Sequence, residues 1–440
     1  MNNNRLFLIL IGGIVILVLI TLVLMLRGFG GGSGGQRVSL TFWGVFDNRN
    51  AFERVIADYK ALYPGVTVNY KQFSFEDYER NLIDALAAGS GPDILMIYNA
   101  WLPKHKDKLK PAPDKIMGED GQFFSLKNYQ DQFVEVAFAD LVSEKKIYGF
   151  PLYIDTLGLF YNRDLFNNAG ITSPPKTWEE FNQNVQQLTR FDKNRDIEIA
   201  GAAMGTTENI NRSSDILMAL MLQSGVQMTN QVNTGATFSR PVNGEPVGER
   251  SLAYYTSFAD PKSVAYTWNN NMNYSIDAFI EGKAAMMFNY SHQIPVIRSK
   301  AARLNFAVAP MPQPDPNNAR NYANYWAAAV SDKSLNYESA WKFLRYLTSK
   351  DGSINYLNVT IRPAARKDVI ELQKNDLALG LFARQALTAK SWYQVNVEAI
   401  EGIFAEMIED VNSGKLSPRD ALRNGESKVN VFMSRRFNEF

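Results

Sequence analysis

Hydrophobic and polar positions in the first part of the chain follow two periods, which together predict a β-α-β-α-β unit. Residues 38–43 (VSLTFW) and 66–73 (VTVNYKQF) are rich in β-branched and aromatic side chains, as strands are. Residues 50–63 and 74–88 have the apolar spacing of helices with one buried face. The apolar run 93–98 (DILMIY) predicts a buried strand. This order favours a largely parallel sheet with helices on both faces.

A second series of elements follows Gly149. Thr177 and Glu180 have the spacing of a capping box and predict the start of a helix. Apolar runs predict strands at 157–161 (LGLFY) and 284–288 (AAMMF). The remaining predictions are helices at 277–281, 336–348 and 398–412, a last helix from Ser417, and a loop or β-ribbon at 230–249.

The longest apolar run, residues 6–26, carries no charged side chain. A helix of 21 residues spans about 30 Å, the thickness of a bilayer hydrocarbon core. The run is longer than the apolar part of a typical signal peptide. We therefore predict a transmembrane anchor at 1–27 and a glycine-rich linker at 28–36. The short tail before Arg5 favours an N-terminus inside the cell. This places a single-pass protein in the cell membrane, with its globular part on the extracytoplasmic side.

The composition excludes several kinds of chemistry. The chain of 440 residues has no cysteine, which excludes disulfides, thiolate metal sites, cysteine nucleophiles and a lipid anchor on cysteine. Its two histidines, His105 and His292, offer little for a metal site or a histidine-based triad, and we expect no cofactor. A net charge of +1 gives no support for nucleic-acid binding. The balance of charges also favours a neutral ligand over a strongly charged polymer.

Five sequence motifs follow one another in a fixed order along the chain. They are GSGPDILMIY at 89–98, KIYGFPLYIDTLGLFYNRDLF at 146–166, PPKTWEEF at 174–181, YSIDAFIEGKAAMMFNYS at 274–291 and ESAWKFLRYLTSKDGSINYL at 338–357. Each motif alone is weak, but five in the right order and spacing are specific. Together they resemble bacterial extracellular solute-binding proteins of the family that includes maltose-binding protein, and the similarity extends from about Val38 to the C-terminus.

The resemblance implies an α/β protein with the two-lobed, Venus-flytrap fold of type II periplasmic binding proteins, in addition to the N-terminal transmembrane helix. Each lobe is discontinuous, because the chain crosses between the lobes near Tyr153, Val308 and Val359. The ligand binds in the cleft between the lobes, and hinge closure buries it. Members deliver ligand to the permease subunits of an ATP-driven (ABC) importer and do no chemistry, and we expect a monomer. The implied lobes are 37–153 with 309–359 and 154–308 with 360–440.

The loops that follow strands carry the candidate ligand-binding residues. Sugars have apolar ring faces that stack on aromatic side chains, and hydroxyl groups that bind planar polar side chains. Open α/β sheets bind ligands at the carboxyl ends of their strands, and members of the family use aromatic and acidic residues at several of these places. The predicted contacts to a carbohydrate are Phe46, Asp47, Arg49, Tyr98, Asn99, Trp101, Tyr153, Asp155, Asn289, Tyr290, His292, Tyr325, Trp326, Arg362, Trp392 and Tyr393.

Some of these side chains have a structural alternative. Trp178 and Trp341 lie at helical spacing among apolar residues and are predicted to be core residues, whereas Trp268 stays open between core and ligand contact. Asp155 fits a ligand contact or a hydrogen bond that stabilises the hinge. His292 is predicted to line the cleft as a polar side chain and not to act as a catalyst.

Three functions are compatible with the sequence. The first is a membrane-tethered solute-binding protein that captures a carbohydrate, in particular an oligosaccharide, for an ABC importer. The second is a receptor for a non-sugar solute, or one whose bound form engages a sensor or adhesion partner. The third is a glycoside-processing enzyme with Asp47 and Asp155 as its carboxylate pair, which the family resemblance argues against.

Overall fold

The structure, a computed structural model, describes residues 37–117 and 123–437. The predicted membrane anchor at 1–27 and the linker at 28–36 lie outside the described residues. Within the described ranges, no helix has the length and apolar character that a membrane span requires.

The helices and strands are numbered in chain order over the described residues. The α-helices are α1 Asn50–Leu62, α2 Phe75–Ala87, α3 Leu102–His105, α4 Leu126–Gln132, α5 Glu135–Leu141, α6 Arg163–Asn168, α7 Trp178–Leu188, α8 Ser213–Gln223, α9 Val247–Ser257, α10 Ser275–Ile280, α11 Gln293–Lys300, α12 Tyr337–Leu347, α13 Lys350–Thr360, α14 Lys367–Gln373, α15 Gly380–Ala386, α16 Val397–Asn412 and α17 Pro418–Phe437. The strands are β1 Val38–Val45, β2 Val66–Phe73, β3 Ile94–Tyr98, β4 Ile116–Met117, β5 Phe123–Phe124, β6 Val142–Ser143, β7 Lys146–Ile147, β8 Phe150–Pro151, β9 Asp155–Thr156, β10 Gly158–Asn162, β11 Arg190–Phe191, β12 Ile197–Ile199, β13 Met286–Asn289, β14 Phe306–Pro310, β15 Asn321–Asn324, β16 Trp326–Val330 and β17 Ala389–Lys390.

The first sheet has the strand order β2-β1-β3-β16-β8. Strand β1 pairs with β2 and β3 in parallel, as the sequence predicts. Strand β16 pairs with β3 and β8 in antiparallel orientation. The expectation of a largely parallel sheet is therefore right for the first three strands and wrong for the rest. The physical reason is that β16 enters the sheet after a long excursion of the chain and runs against β3.

The second sheet is antiparallel throughout its described pairs. Its order is β13-β10-β14, and both neighbours run against the central strand β10. A third, small sheet of β17, β15 and β9 combines strands that are distant in sequence. The second half of the described chain therefore does not repeat the parallel pattern of the first.

The buried side chains form two hydrophobic cores. The chain leaves the first core after Ile154 and enters the second at Leu157, and it returns to the first core between Tyr322 and Ala323. Beyond that point, residues 364–370 pack in the first core, while residues 382–389 contribute to both. The lobe boundaries implied by the resemblance stay predictions.

Local signals in the sequence correspond to caps in the structure. The hydroxyl of Thr177 accepts a hydrogen bond from the backbone amide of Glu180 at 3.2 Å, so the capping spacing is confirmed. Ser417 caps the last helix through the amide of Asp420 in the same way. The segment 230–249 is a loop up to residue 246, where the prediction ends too late because α9 already begins at 247.

The tryptophans with a structural alternative lie in the cores. Trp341 is fully buried in the first core, as predicted. Trp178 is half-buried and packs against Phe181 and Phe288 of the second core. Trp268 is also fully buried. Of the two alternatives that the sequence leaves open for this residue, core packing and ligand contact, the structure shows core packing.

Candidate ligand-binding cleft

Side chains from both cores line a cavity of about 310 Å³. Its wall combines aromatic rings with a few charged and amide groups, which is the usual composition of a small-molecule site. The aromatic part is formed by Phe46, Phe75, Tyr98, Trp101, Tyr153, Tyr290 and Trp326. The remaining wall is formed by Asp155, Arg212, His292, Asn324, Arg362, Val397, Glu398 and Glu401.

Trp326 is the centre of the aromatic wall. Its ring centroid lies 5.2 Å from that of Trp101 and 5.8 Å from those of Tyr98 and Phe46. Trp326 and Tyr98 are direct partners on the antiparallel strands β16 and β3. The pairing of these strands therefore brings together rings that are far apart in sequence.

Phe46 and Phe75 form the exposed edge of this wall. Their rings stack with centroids 5.4 Å apart, and the two residues are 51% and 52% exposed. Phe46 follows β1 with a φ of 61°, a left-handed conformation that costs about 1–2 kcal/mol in a residue with a Cβ atom. Exposed stacked rings beside a cavity offer an apolar surface to the C–H face of a ring-shaped ligand.

Arg362 lies between the cavity and a buried carboxylate. Its Nη2 donates to Oδ1 of Asp47 at 2.8 Å, and its guanidinium lies 4.2 Å from the ring centroid of Tyr153. The hydroxyl of Tyr356 donates to the other carboxylate oxygen of Asp47 at 2.6 Å. Asp47 therefore positions Arg362 from the side that faces away from the cavity, and Asp47 itself does not line the cavity.

Asp155 ties the first crossover to the end of β13. Its carboxylate accepts a hydrogen bond from the Ser291 hydroxyl at 2.7 Å and others from the backbone amides of Ser291 and Thr156. Nδ1 of His292 lies 3.9 Å from the same carboxylate. This is the geometry of the structural alternative for Asp155, although the residue also borders the cavity.

Arg212 contributes a buried donor that the sequence prediction lacks. It precedes α8 with a φ of 67°, and its guanidinium lies 5.5 Å from the ring centroid of Tyr290. Within the described chain, its buried Nε has no hydrogen-bond partner. The hydroxyl of Tyr290 donates to the carboxylate of Asp215 at 2.7 Å, in the first turn of the same helix. Arg212 lines the cavity, so the accessible part of its guanidinium can donate to a ligand there.

Glu398 and Glu401 place carboxylates in the cavity wall from α16. Residues three positions apart lie on the same helix face. Burial, followed by the charge of Asp215, raises the pKa of Glu401 to about 7. Burial also raises the pKa of Asp215, against the lowering effect of Arg212. Glu401 is thus an acid in the cavity wall whose ionised form is costly to maintain.

A second cavity of about 440 Å³, lined in part by Asp140, lies between residues of the two cores. Its carboxylate accepts hydrogen bonds from Asn99 at 3.1 Å, from the Tyr325 hydroxyl at 2.8 Å and from Ser391. Burial raises the pKa of Asp140 to about 6. Asn99 also lines this cavity, whereas Tyr325 is fully buried behind it.

The other predicted residues lie outside the first cavity. Trp392 and Tyr393 line the second one. Asn289 is fully buried and donates to the side-chain oxygen of Asn211 at 3.1 Å. Arg49 is exposed at the N-terminal end of α1 and lines neither cavity. The predicted residues that line the first cavity are Phe46, Tyr98, Trp101, Tyr153, Asp155, Tyr290, His292, Trp326 and Arg362.

The lining residues that the sequence prediction omits are of two kinds. Phe75 lies two residues after the end of β2, so the rule that places ligands after strands would have found it. Asn324 likewise ends β15. Glu398 and Glu401 belong to a long helix, and Arg212 to an irregular segment before one. None of these three lies directly at the end of a strand, and only the tertiary packing brings them to the cavity.

Comparison with known proteins identifies the family. The sequence model of the bacterial extracellular solute-binding protein family matches residues 46–354. The chain is 27% identical over 382 residues to a maltodextrin-binding protein of Bacillus subtilis, covering 81% of this chain and 80% of that protein. It is 24% identical over 332 residues to a multiple sugar-binding protein of Streptococcus mutans, covering 74% of each. A solved structure of a cyclo/maltodextrin-binding protein with maltotetraose has a TM-score of 0.73 at 18% identity, covering 90% of this chain and 97% of that one.

Two α/β cores with a polar and aromatic cavity between them define the class of solute-binding proteins. The family match covers more than half of the sequence, and the chain belongs to the bacterial extracellular solute-binding protein family. The resemblance inferred from the five motifs is therefore confirmed, as is the α/β solute-binding fold. Membership implies that the globular part works outside the cytoplasm.

Proposed function

We propose that this protein captures an oligosaccharide in the cleft between its two lobes and delivers it to the permease of an ABC importer. The observation that carries the proposal is the cavity lined by aromatic rings and polar side chains from both cores. In this proposal the chain is held on the extracytoplasmic face of the membrane by the apolar run 6–26, acts as a monomer, and performs no chemistry.

The aromatic wall supports a carbohydrate as the ligand. Phe46, Phe75 and Trp326 present apolar ring faces and edges, on which the C–H face of a pyranose ring packs. Arg212 and Glu401 supply a donor and an acceptor for hydroxyl groups at the same cavity. The relatives from Bacillus subtilis and Streptococcus mutans are named for maltodextrin and for multiple sugars.

The second cavity supports a ligand longer than one sugar ring. It lies against the same two cores, and Tyr98 and Asn99 are adjacent residues that line the first and the second cavity respectively. Trp392 and Tyr393 add aromatic side chains there. In this proposal the predicted contacts at Asn99, Trp392 and Tyr393 serve a second sugar unit, whereas Arg49 makes no contact with the ligand.

Hinge closure follows from the two-lobed arrangement. A ligand that touches both cores binds the closed form more tightly than the open form, and it shifts the population towards closure. The lobes proposed for this movement are 37–153 with 309–359 and 154–308 with 360–440. The closed form is then the one that the importer recognises.

The two alternatives have less support. The relatives are binding proteins, and the carboxylates considered for a glycosidase are occupied. Asp47 forms an ion pair with Arg362, and Asp155 is bound by Ser291. A receptor for a different solute remains an outcome of the experiment that follows.

Isothermal titration calorimetry of the full chain tests the proposal. The protein is purified in a detergent without a sugar headgroup, so that no detergent competes for the cleft, and is titrated with mono- and oligosaccharides. We expect micromolar or tighter binding of at least one oligosaccharide, with weaker binding of its single unit. Binding of a peptide or a polyol phosphate together with no response to any sugar would overturn the substrate class.

A further inference from the structure

The charges around the aromatic cavity do not balance, although those of the whole chain nearly do. Arg362 is neutralised by its ion pair with Asp47. Asp155 is stabilised by hydrogen bonds from the hydroxyl and amide of Ser291. Both of these charged wall residues therefore already have partners within the protein. The electrostatic character of the cavity is then set by the residues on its opposite side.

The opposite side of the cavity combines one positively charged guanidinium group with three carboxyl groups. Arg212 is the cation, and Asp215, Glu398 and Glu401 are the acids that act on one another there. Asp215 is buried and Glu401 is partly buried, and in such surroundings the attraction of a charge for its counter-ion is several times stronger than in water. The groups that face Glu401 are Arg212 and Asp215 near the start of α8, Tyr98 of β3, Tyr322 of β15 and Glu398 of its own helix.

Three of these groups, those of Arg212, Glu398 and Glu401, have atoms without hydrogen-bond partners. Nε of Arg212 is buried and has none within the described chain. The carboxylates of Glu398 and Glu401 likewise make no hydrogen bond or ion pair with any described residue. Because all three residues line the cavity, a ligand there is available to pair with the accessible atoms of the guanidinium and of both carboxylates.

We propose that the saccharide bound in this cavity carries a protonated amine next to a hydroxyl group, and is therefore an amino sugar. The inference rests on the proposed function and narrows its substrate class. The ammonium group lies against Glu401 and Glu398, and the neighbouring hydroxyl oxygen accepts a hydrogen bond from Arg212. A cation is also favoured over the faces of the surrounding aromatic rings.

Other ligand classes satisfy these groups less well. A neutral sugar accepts from Arg212 and donates to the glutamates, but it leaves their excess negative charge uncompensated. An acidic sugar pairs with Arg212 and at the same time adds a negative charge beside Glu398 and Glu401. Only a ligand with both an acceptor and a positive charge meets both needs. The cavity thus departs from the neutral ligand that the overall charge balance favours.

Matched sugars test this inference by calorimetry on the full chain. Glucose, mannose, galactose and the β-1,4-linked glucose disaccharide are each compared with their 2-amino and 2-acetamido forms. We expect the amino form of at least one set to bind about tenfold or more tightly than its hydroxyl form, since close charge pairs in binding sites contribute on this scale. Acetylation removes the charge and should remove the preference.

Proton release gives a second readout. An ammonium group stabilises the ionised form of Glu401, whose pKa in the unliganded protein is about 7. At pH 7, binding of the amino sugar should therefore release protons, which appears as a dependence of the measured heat on the ionisation enthalpy of the buffer. The hydroxyl form of the same sugar should release none.

Two variants and a control locate the effect. Glu401→Gln and Glu398→Gln keep the side-chain shape but remove the charge, and each should weaken binding of the amino form by a larger factor than binding of the hydroxyl form. Glu398 is exposed, so its variant remains testable should Glu401→Gln not fold. Glu406→Gln changes the same helix at a residue paired with Lys428, outside the cavity, and should leave the preference intact.

The possible results separate this inference from the proposed function. If hydroxyl forms bind as tightly as amino forms in every set, or if only other neutral sugars bind, the amino-sugar inference is overturned and the proposed function stands. If no sugar of any kind binds, both are overturned. An amine preference that survives in both glutamine variants also contradicts the inference, because the charge then acts elsewhere.

Discussion

Arg362 donates a hydrogen bond from Nη2 to Oδ1 of Asp47 at 2.8 Å, across 315 positions of sequence. The pair joins the loop after β1 to the segment after α13, and it presents the other side of the guanidinium to the ring of Tyr153. Both side chains are largely buried, at 14% and 5% exposure. The arginine in the cavity wall is therefore fixed by a residue that does not reach the cavity.

The first prediction concerns this ion pair. Asp47→Ala should lower the free energy of unfolding by about 3–5 kcal/mol, because it leaves the charge of Arg362 buried without a partner. Urea denaturation measures the change. The control is Glu371→Gln, which removes one half of an exposed pair with Lys374 and should cost at most about 1 kcal/mol. Equal losses in the two variants would contradict the prediction.

The second prediction concerns the exposed edge of the aromatic wall. Phe46→Ala and Phe75→Ala should each weaken sugar binding by about three- to tenfold, because each removes a stacking surface. Both residues are half-exposed, so the fold should tolerate the change. Phe191→Ala removes a ring of similar exposure, 46%, outside both cavities, and should leave affinity unchanged by calorimetry. An affinity loss of the same size in all three variants would place the sugar elsewhere.

The third prediction concerns pH. Burial raises the pKa of Asp140 from 3.8 to about 6, so the folded protein holds this proton more tightly than the unfolded chain does. The contribution of Asp140 to stability therefore falls as pH rises from about 4 to about 6. Because Asp140→Asn removes this titration, its melting temperature relative to the wild type should rise across that range and level off above it.

Differential scanning fluorimetry between pH 4 and pH 8 measures this trend. A constant offset between variant and wild type would reflect the altered hydrogen bonds to Asn99 and Tyr325, and it does not affect the trend. A difference between Asp140→Asn and wild type that is flat over the whole range would refute the assignment.

The fourth prediction concerns the tie between Asp155 and Ser291. Ser291→Ala removes the buried 2.7 Å hydrogen bond to the carboxylate and should lower the free energy of unfolding by about 1.5–3 kcal/mol. Ser413→Ala removes a hydroxyl from an exposed helix end, where it donates to a backbone oxygen. This control should change urea denaturation much less, and a similar loss in both would indicate that Asp155 is held mainly by backbone amides.

The fifth prediction concerns the apolar run 6–26. The full chain should sediment with the membrane fraction of an expressing cell and resist extraction by high salt and by alkaline carbonate. A chain that begins at residue 37 should lose this association. Release of the full chain by salt alone would mean that the run does not span the bilayer.

Much of the local structure could be predicted because its signals lie close together in sequence. Strand β2 has the bounds that the sequence predicts, since alternating side chains and the preceding Pro64-Gly65 define it locally. The start of α7 depends only on Thr177 and Glu180. The antiparallel direction of β16 depends instead on where the chain re-enters the first sheet after it has passed through the second core. No local sequence pattern predicts that position.

The residues of the candidate site also divide into those that a local rule predicts and those whose placement depends on distant partners. Tyr98 ends a strand and Trp101 follows it, and the general rule for α/β sheets places them at the cavity. Asn289 also ends a strand and Asp47 also follows one, but their side chains face inward to Asn211 and Arg362. The direction of a side chain in a loop depends on its partners, and those partners lie 315 and 78 positions away.

Strand β16 has a consequence for the order in which the molecule is made. It lies between β3 and β8 in the first sheet, yet its residues leave the ribosome after the whole stretch 157–322 of the second core. Until then, β3 and β8 each present an unpaired edge. The first core is begun first but cannot be completed until most of the second core has been made, and a nascent chain halted before residue 326 carries two open strand edges that attract other chains or chaperones.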